Sequence, residues 1–257
     1  MRIQLLPSSF DNTGEVSQHQ RLTCFVVNDS VAIDAGSLAF SCTDKQRQKI
    51  RDVVISHTHL DHIAGLPIFI DDLFARLTEP VRIHVAKEMA KVLERDVFNW
   101  DIYPRFSELT NDHGNVMEYR IFEAGTRFSA AQFDIMPVLV NHNQPSAGFI
   151  VSDGISSIGI TGDTAETDQI WNAFSACKDL KAIFVECAFP DEMETLAKAS
   201  HHLTPQRLVN ELGKVELDCP VYVSNIKAMY REKVVAQIAD IADLNLNIVE
   251  VGKVYEF

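Results

Sequence analysis

Apolar residues recur along this chain in short runs bounded by Gly, Pro, Asn and Asp, and most runs have the length of a strand. Residues 2–6 read as a first strand. A polar stretch, Pro7 to Gln20, follows. Thr23–Asn28 and Val31–Asp34 then read as a hairpin turning at Asn28-Asp29-Ser30, and a helix is expected over Thr43–Ile50. The β-branched run Val53-Val54-Ile55 predicts a buried strand. It delivers the polar stretch Ser56-His57-Thr58-His59-Leu60-Asp61-His62 into the start of a helix. The pattern then predicts a helix over Leu66–Leu77, a strand over Val81–Val85 and a helix over Lys87–Asp96. Strands are expected at Val116–Phe122, Thr126–Ser129, Phe133–Val140, Ala147–Ser152, Ser157–Ile160 and Ala182–Glu186, with a helix from about Glu166 to Cys177 between the last two. Helices Glu192–Ala199 and Gln206–Leu212 follow, the second with Thr204 as its cap and Pro205 in its first turn. A strand at Val221–Val223, a helix over Arg231–Ala242 and strands at Ile248–Val251 and Lys253–Phe257 complete the pattern.

Asp34, His57, His142, Asp163, Glu186 and Asn225 all fall at or just past the ends of these expected strands. A sheet that presents polar residues from many strand ends at one edge builds a site there. Each has a plainer reading too. Asp34 near Gly36 is equally turn chemistry or a hydrogen-bond partner of the histidine loop. His142 alone is a turn residue, and Asp163 alone is a helix cap. The aromatic stretch Phe98 to Phe106 reads first as packing under a long connection, and second as a pocket wall.

The histidine loop changes this balance. In an extended segment His57 and His59 point the same way, because side chains alternate with period two. Asp61 and His62 sit where the chain changes direction and face a second point. Imidazole and carboxylate suit zinc, and also iron or manganese. Two pairs with different aims suggest two ions.

Length and charge narrow the function classes. The 257 residues suit one large domain or two small ones. The net charge of −13, with no basic run, argues against a surface that grips nucleic acid. The five cysteines are scattered, without a CxxC, which fits a reduced compartment. The apolar start is too short for a signal peptide, and no run has the length of a membrane span. The expectation is a cytoplasmic protein with no membrane partner.

On Asp34, the His-x-His-x-Asp-His loop at His57 to His62, His142 and Asp163, the chain resembles the metallo-β-lactamase superfamily over essentially its whole length. The resemblance implies one domain, 1–257, of α/β class: a four-layer αβ/βα sandwich of mixed sheets with a dinuclear site at one edge. It implies one ion on His57, His59 and His142, a second on Asp61 and His62, and Asp163 bridging. The cofactor is then two divalent ions, zinc first, with manganese or iron as alternatives. Val185-Glu186-Cys187-Ala188-Phe189, His202-Leu203-Thr204 and Pro145-Ser146-Ala147-Gly148-Phe149 resemble the zinc-dependent transfer-RNA 3′-processing nucleases. In those enzymes the matching Glu and His protonate the leaving oxygen. More closely, Phe98-Asn99-Trp100, Tyr103-Pro104-Arg105-Phe106 and Ser200-His201-His202-Leu203-Thr204-Pro205 resemble the class II cyclic-nucleotide phosphodiesterases. Asn225-Ile226-Lys227 falls where that group has His-Ile-Lys. Asn225 thus replaces a ligand of the second ion, which is then weakly held, exchanged for another ion, or ligated by His201 instead.

The resemblance implies hydrolysis of a small anionic phosphodiester, with a 3′,5′-cyclic nucleotide opened to a 5′-nucleotide by a hydroxide shared between the ions. Asp61, Glu186 and His202 are the expected catalytic residues, His202 being the general acid oriented by Glu186. Lys227 and Ser146 are expected to bind substrate, and Asp34 to support the ligands. Without the resemblance, Glu186 is a strand-end carboxylate paired with a base, His202 a helix-start residue and Lys227 an exposed lysine. The rivals are a transfer-RNA-processing or other nuclease, and a binding or sensing module that has lost hydrolysis, for which Asn225 is the support. A thioester or lactone hydrolase finds no call for the Glu186–His202 pairing. DNA is not expected as a partner, and a homodimer is expected by analogy only.

Overall fold

A computed structural model describes residues 1–241 and 244–257. Its strands are β1 (Arg2–Leu5), β2 (Phe25–Val27), β3 (Val31–Ile33), β4 (Asp52–Val54), β5 (Val81–Val85), a ribbon of β6 (Thr110–Asn111) and β7 (Gly114–Asn115), and β8 (Met117–Ile121). Then come β9 (Phe128–Ala130), β10 (Phe133–Leu139), β11 (Ala147–Ser152), β12 (Ser157–Ile160), β13 (Leu180–Glu186), β14 (Val221–Ser224), β15 (Leu246–Ile248) and β16 (Val254–Glu256). Apart from the ribbon they form two seven-stranded sheets, β16-β1-β2-β3-β4-β5-β8 and β15-β14-β13-β12-β11-β10-β9. Each is mixed. β3, β4, β5 and β8 run parallel in the first, and β12 to β15 run parallel in the second. Parallel neighbours need crossover connections, which here carry helices.

The alternation along β13 shows the layering. Ala182 and Phe184 join the core that spans both sheets, whereas Ile183 and Val185 pack with Trp171, Phe174, Leu208 and Val234 from the covering helices. Phe25 of the first sheet meets Phe184 of the second edge-on, with ring centroids 5.4 Å apart. This is the expected αβ/βα sandwich. Among the described residues no helix is long and apolar enough to cross a membrane.

Most elements lie where the pattern places them, and the departures have local causes. The hairpin after β2 turns through Asn28 and Asp29 at φ 46° and 60°, a left-handed pair that these two residue types tolerate. The helix expected to Leu77 ends at Leu73 and tightens into a 3-10 turn over Phe74–Arg76. The helix expected from Glu166 begins at Gln169, because Thr167 N and Trp171 Nε1 both donate to Glu211 while Glu166 pairs with Arg207. A 3-10 turn, Asp191–Met193, takes the start of the expected Glu192–Ala199 helix, leaving Glu194–Ala199. The strand expected at Ile248–Val251 instead ends at Ile248, since Val251-Gly252 turns with Gly252 at φ 85°. The last helix runs Arg231–Ala239, and the expected end at Ala242 lies outside the described residues. The ribbon β6–β7 was not expected from its polar residues. Asn111 anchors it by donating to the carbonyls of Phe74 and Leu77. Phe98 and Phe106 are buried and pack on each other, so they are core residues; Trp100 and Ile102 stand exposed.

Two sets of interactions hold β4 and the histidine loop that follows it. The buried Asp52 of β4 accepts a bidentate pair from Arg82 (2.8 and 2.7 Å) and a third bond from His84 Nε2 (2.8 Å), both on β5. Around the loop itself, Thr23 N donates to Asp61 O (2.8 Å), Ala35 N to His62 O (2.7 Å) and Gly36 N to Thr23 O (2.8 Å). A Cβ on Gly36 would sit 1.9 Å from the Asp61 carbonyl and 2.8 Å from Thr23 N, so only glycine permits this stitching.

Burial works against the Asp52 carboxylate, but Arg82 and His84 outweigh it and hold its pKa well below the usual range. Its stability contribution is therefore complete above the ordinary aspartate pKa of about 4 and is lost as pH falls towards the depressed value. Asp52→Ala is expected to cost roughly 2–3 kcal/mol near neutral pH, less than a fully buried pair because Arg82 retains access to water. It should also flatten the acid limb of stability, measured by denaturant unfolding across pH. Gly36→Ala is expected to destabilise by about 1–3 kcal/mol or more, because the obstructing atoms are backbone. Its melting temperature measures this.

Candidate active site

The parallel strands bring their C-terminal ends to one edge, as the pairings Ile33 with Val54, Ile160 with Phe184 and Glu186 with Ser224 require. Asp34, Ser56-His57, Asp163, Glu186 and Asn225 follow from those ends, and the loop after β10 adds His142. The chain turns sharply just there. Asp34, Gly162, His201 and Asn225 have φ of 60°, 62°, 54° and 51°. Glycine, Asp and Asn visit this region readily; His does so at a cost.

Asp34 is buried and organises the loop from behind. Its Oδ1 accepts from Ser56 N (2.8 Å), and its Oδ2 accepts from Ser56 Oγ (2.8 Å) and His62 Nδ1 (2.6 Å). With its proton committed to Asp34, Ser56 Oγ accepts from His57 Nδ1 (3.1 Å). His142 Nδ1 likewise donates to the His201 carbonyl (3.0 Å). His57 and His142 are thereby fixed as tautomers with unprotonated Nε2 facing inward, and the bond of His62 Nδ1 to Asp34 turns its Nε2 inward as well.

These nitrogens converge. Ligand atoms of His57, His59 and His142 lie within 4.8 Å of one another, as do those of His57, His62 and Asp163, and those of His142, Asp163 and His202. Asp163 Oδ2 lies 3.3 Å from His62 Nε2 and 3.9 Å from His57 Nε2. His142 Nε2 and His59 Nδ1 face each other at 3.1 Å. Burial pushes His57 and His59 down and His142 to about 4, so these imidazoles are neutral at physiological pH. Burial opposes both charges of the His62–Asp163 pair. Even so, the two acids Asp163 and Asp34 hold His62 well above its usual value, and His62 holds Asp163 well below its own.

Do these residues fit a metal? His57 Nε2 and His62 Nε2 are buried and have no hydrogen-bond partner among the described residues. An unpaired buried polar atom is costly, and here both nitrogens face the same acidic oxygen, Asp163 Oδ2, an arrangement that a cation between them would satisfy. Neutral imidazoles with a carboxylate are the donor set of zinc, and also of manganese or iron. The residues fit a divalent ion.

Glu186 continues the inward face of β13 and is buried behind His202. It accepts from His202 Nδ1 (2.8 Å) and from the backbone of Thr164 and Ala188 (3.0 Å each). Burial raises Glu186. Burial also disfavours the imidazolium of His202, but the Glu186 carboxylate outweighs this and raises its pKa. His202 stands beside His142, ring centroids 5.2 Å apart. Arg207 donates to the His202 carbonyl and to Glu166, clamping the dyad from the far side.

The other expected residues are placed differently. Asp61 is in none of the converging groups; its Oδ2 pairs with Lys227 Nζ at 3.2 Å. Burial disfavours the Lys227 ammonium, yet Asp61 and Asp163 outweigh it and raise its pKa. Asn225 Nδ2 donates to Asp163 Oδ1 at 2.6 Å. His201 turns its ring to Asn141 Oδ1 (2.9 Å) and offers its carbonyl to His142. Ser146, expected to bind substrate, is buried beside Pro145 and Phe122, and its Oγ has no hydrogen-bond partner among the described residues. Sequence reasoning missed Ser56, Arg207, Glu166 and Gln20, which accepts from Asn225 N (2.8 Å). Nothing in their local patterns marks them, since Arg207 and Glu166 read as ordinary helix charges until the fold joins them.

Residues 27–219 match the family model described as the beta-lactamase superfamily domain. A probable 3′,5′-cyclic-nucleotide phosphodiesterase of Yersinia pestis is 25% identical over 215 residues, 72% of this chain but only 60% of that protein's length. The crystal structure of unliganded yeast PDE1 superposes with a TM-score of 0.75 at 17% identity, covering 98% of both chains. Human tRNase Z, short form, superposes with a TM-score of 0.68 at 15% identity, covering 100% of this chain and 99% of that one. At such identities the two structures speak for the fold alone. With the family model spanning the loop, His142 and Asp163, the chain belongs to the beta-lactamase superfamily.

Proposed function

We propose that this chain is a metal-dependent phosphodiester hydrolase that opens 3′,5′-cyclic nucleotides to 5′-nucleotides. The observation that carries this reading is the buried Glu186–His202 pair beside the imidazole cluster. A ribose 3′-oxygen is a poor leaving group and needs a proton as the phosphorus–oxygen bond breaks. His202, kept protonated by Glu186 and clamped through its carbonyl by Arg207, is positioned to give it. The name of the Yersinia relative supports the substrate class.

His57, His59, His62, His142 and Asp163 would hold the metal, with zinc the first choice on donor chemistry. A divalent ion here supplies Lewis-acid stabilisation of phosphate charge and a water acidic enough to attack near neutral pH. The chain's own residues do the rest. Asp34 and Ser56 fix the His62 and His57 rings so that each Nε2 faces the site. Lys227 offers an ammonium to a phosphate oxygen. In a protein of net charge −13, this local positive charge is what admits a small anion. Free cysteines at Cys24, Cys42, Cys177, Cys187 and Cys219 fit action in a reducing cytoplasm.

The resemblance of Glu186 and His202 to the matching pair of the transfer-RNA 3′-processing nucleases supports a second reading, cleavage of precursor transfer RNA. Against it, the sequence offers no basic run to grip RNA.

His202→Ala is expected to lower kcat/KM on cyclic AMP by about 10²–10⁴-fold. On bis(p-nitrophenyl) phosphate, whose leaving group departs without a proton, the loss should stay within about tenfold. Equal losses on both would refute the assignment of His202 as acid. Wild-type cleavage of precursor transfer RNA faster than of cyclic AMP would establish the second reading.

A further inference from the structure

We infer that the centre takes a single divalent ion and that the Lys227 ammonium, held on Asp61, stands where a second cation would otherwise act. The inference rests on the metal-dependent reading above and departs from the expectation of two ions.

The argument is a count of donors. On one side of the cluster, three imidazoles, His57, His59 and His142, converge with ligand atoms within 4.8 Å. Three protein ligands with an open position are what a catalytic zinc requires. On the other side, His62 Nε2 and Asp163 Oδ2 face each other at 3.3 Å, and His202, which also comes within reach of Asp163, is held on Glu186. The remaining candidates there are engaged otherwise. Asp61 has turned to Lys227 Nζ (3.2 Å). Asn225 lies 2.6 Å from Asp163 Oδ1. An ionised carboxylate only accepts, so at that distance the amide presents its NH₂ and its oxygen points elsewhere. A donor cannot ligate a cation. The same bond commits Asp163 Oδ1 to the amide, leaving Oδ2 as the oxygen that faces the imidazoles. Two protein donors make a poor site for a second ion.

The charge that such an ion would bring is nonetheless present. Lys227 is fixed at both ends, by its backbone N on the Ala188 carbonyl (3.1 Å) and by Nζ on Asp61. An ammonium so placed neutralises one phosphate oxygen without needing further ligands.

Metal content and spectroscopy test this independently of turnover. The purified full chain is loaded with zinc, dialysed and analysed for bound metal, and a manganese-loaded sample is examined by electron paramagnetic resonance. The expected result is one equivalent and an isolated-ion spectrum. Asn225→His is expected to raise retention to two equivalents and to give a spin-coupled manganese pair. Lys227→Met should keep the bound ion and lose about a hundredfold in kcat/KM on cyclic AMP. Two equivalents in the wild type would overturn the single-ion centre while leaving metal-dependent hydrolysis intact. No retained metal, with no thermal shift on adding zinc, would overturn both. One equivalent in Asn225→His would remove Asn225 as the determinant, and an unchanged rate in Lys227→Met would remove the ammonium from its role.

Discussion

One carboxylate sets the geometry of this protein's site. Asp34 receives the backbone and hydroxyl of Ser56 and the ring of His62, and through Ser56 it reaches His57. Each bond decides which nitrogen of an imidazole carries a proton. Take the carboxylate away and neither ring has a reason to keep its lone pair facing inward. Because the group is buried, nothing in solvent can replace it, and the unpaired Ser56 and His62 donors would each add a desolvation cost.

The sandwich exists, in this view, to bring such groups to one edge without exposing them. Parallel strands end together, so residues far apart in sequence arrive side by side: Asp34 and His62, Asp163 and Asn225, Glu186 and His202. The inter-sheet core of Phe25, Phe149 and Phe184 holds these ends in register. The backbone turns tightly at the same places, which is the expense of pointing a side chain out of a sheet edge at a fixed spot.

Much of this was legible in the chain. Strands with strong apolar patterns, such as Val81–Val85 and Ala147–Ser152, have the same bounds in pattern and structure. The histidine loop announced its chemistry because residue type, spacing and position after a buried strand all agreed. What escaped was settled by partners distant in sequence. Glu166 leaves its expected helix because Arg207 lies across from it, and Asp61 turns to a lysine that follows it by most of the chain. Ser56 looked like a spacer, yet it relays the Asp34 carboxylate to the His57 ring. No local pattern encodes a contact whose other half comes from another strand end.

The turn at His201 has a wider consequence. Its carbonyl steadies His142, and the next residue is His202, the proposed proton donor. A single left-handed residue therefore sets the gap between the electrophilic centre and the acid. Loops elsewhere at the rim can drift and reshape what enters, but any change that relaxes this peptide moves both partners of the reaction at once. Divergence in what the protein accepts is thus free to accumulate at the mouth, while the separation of His142 and His202 stays locked.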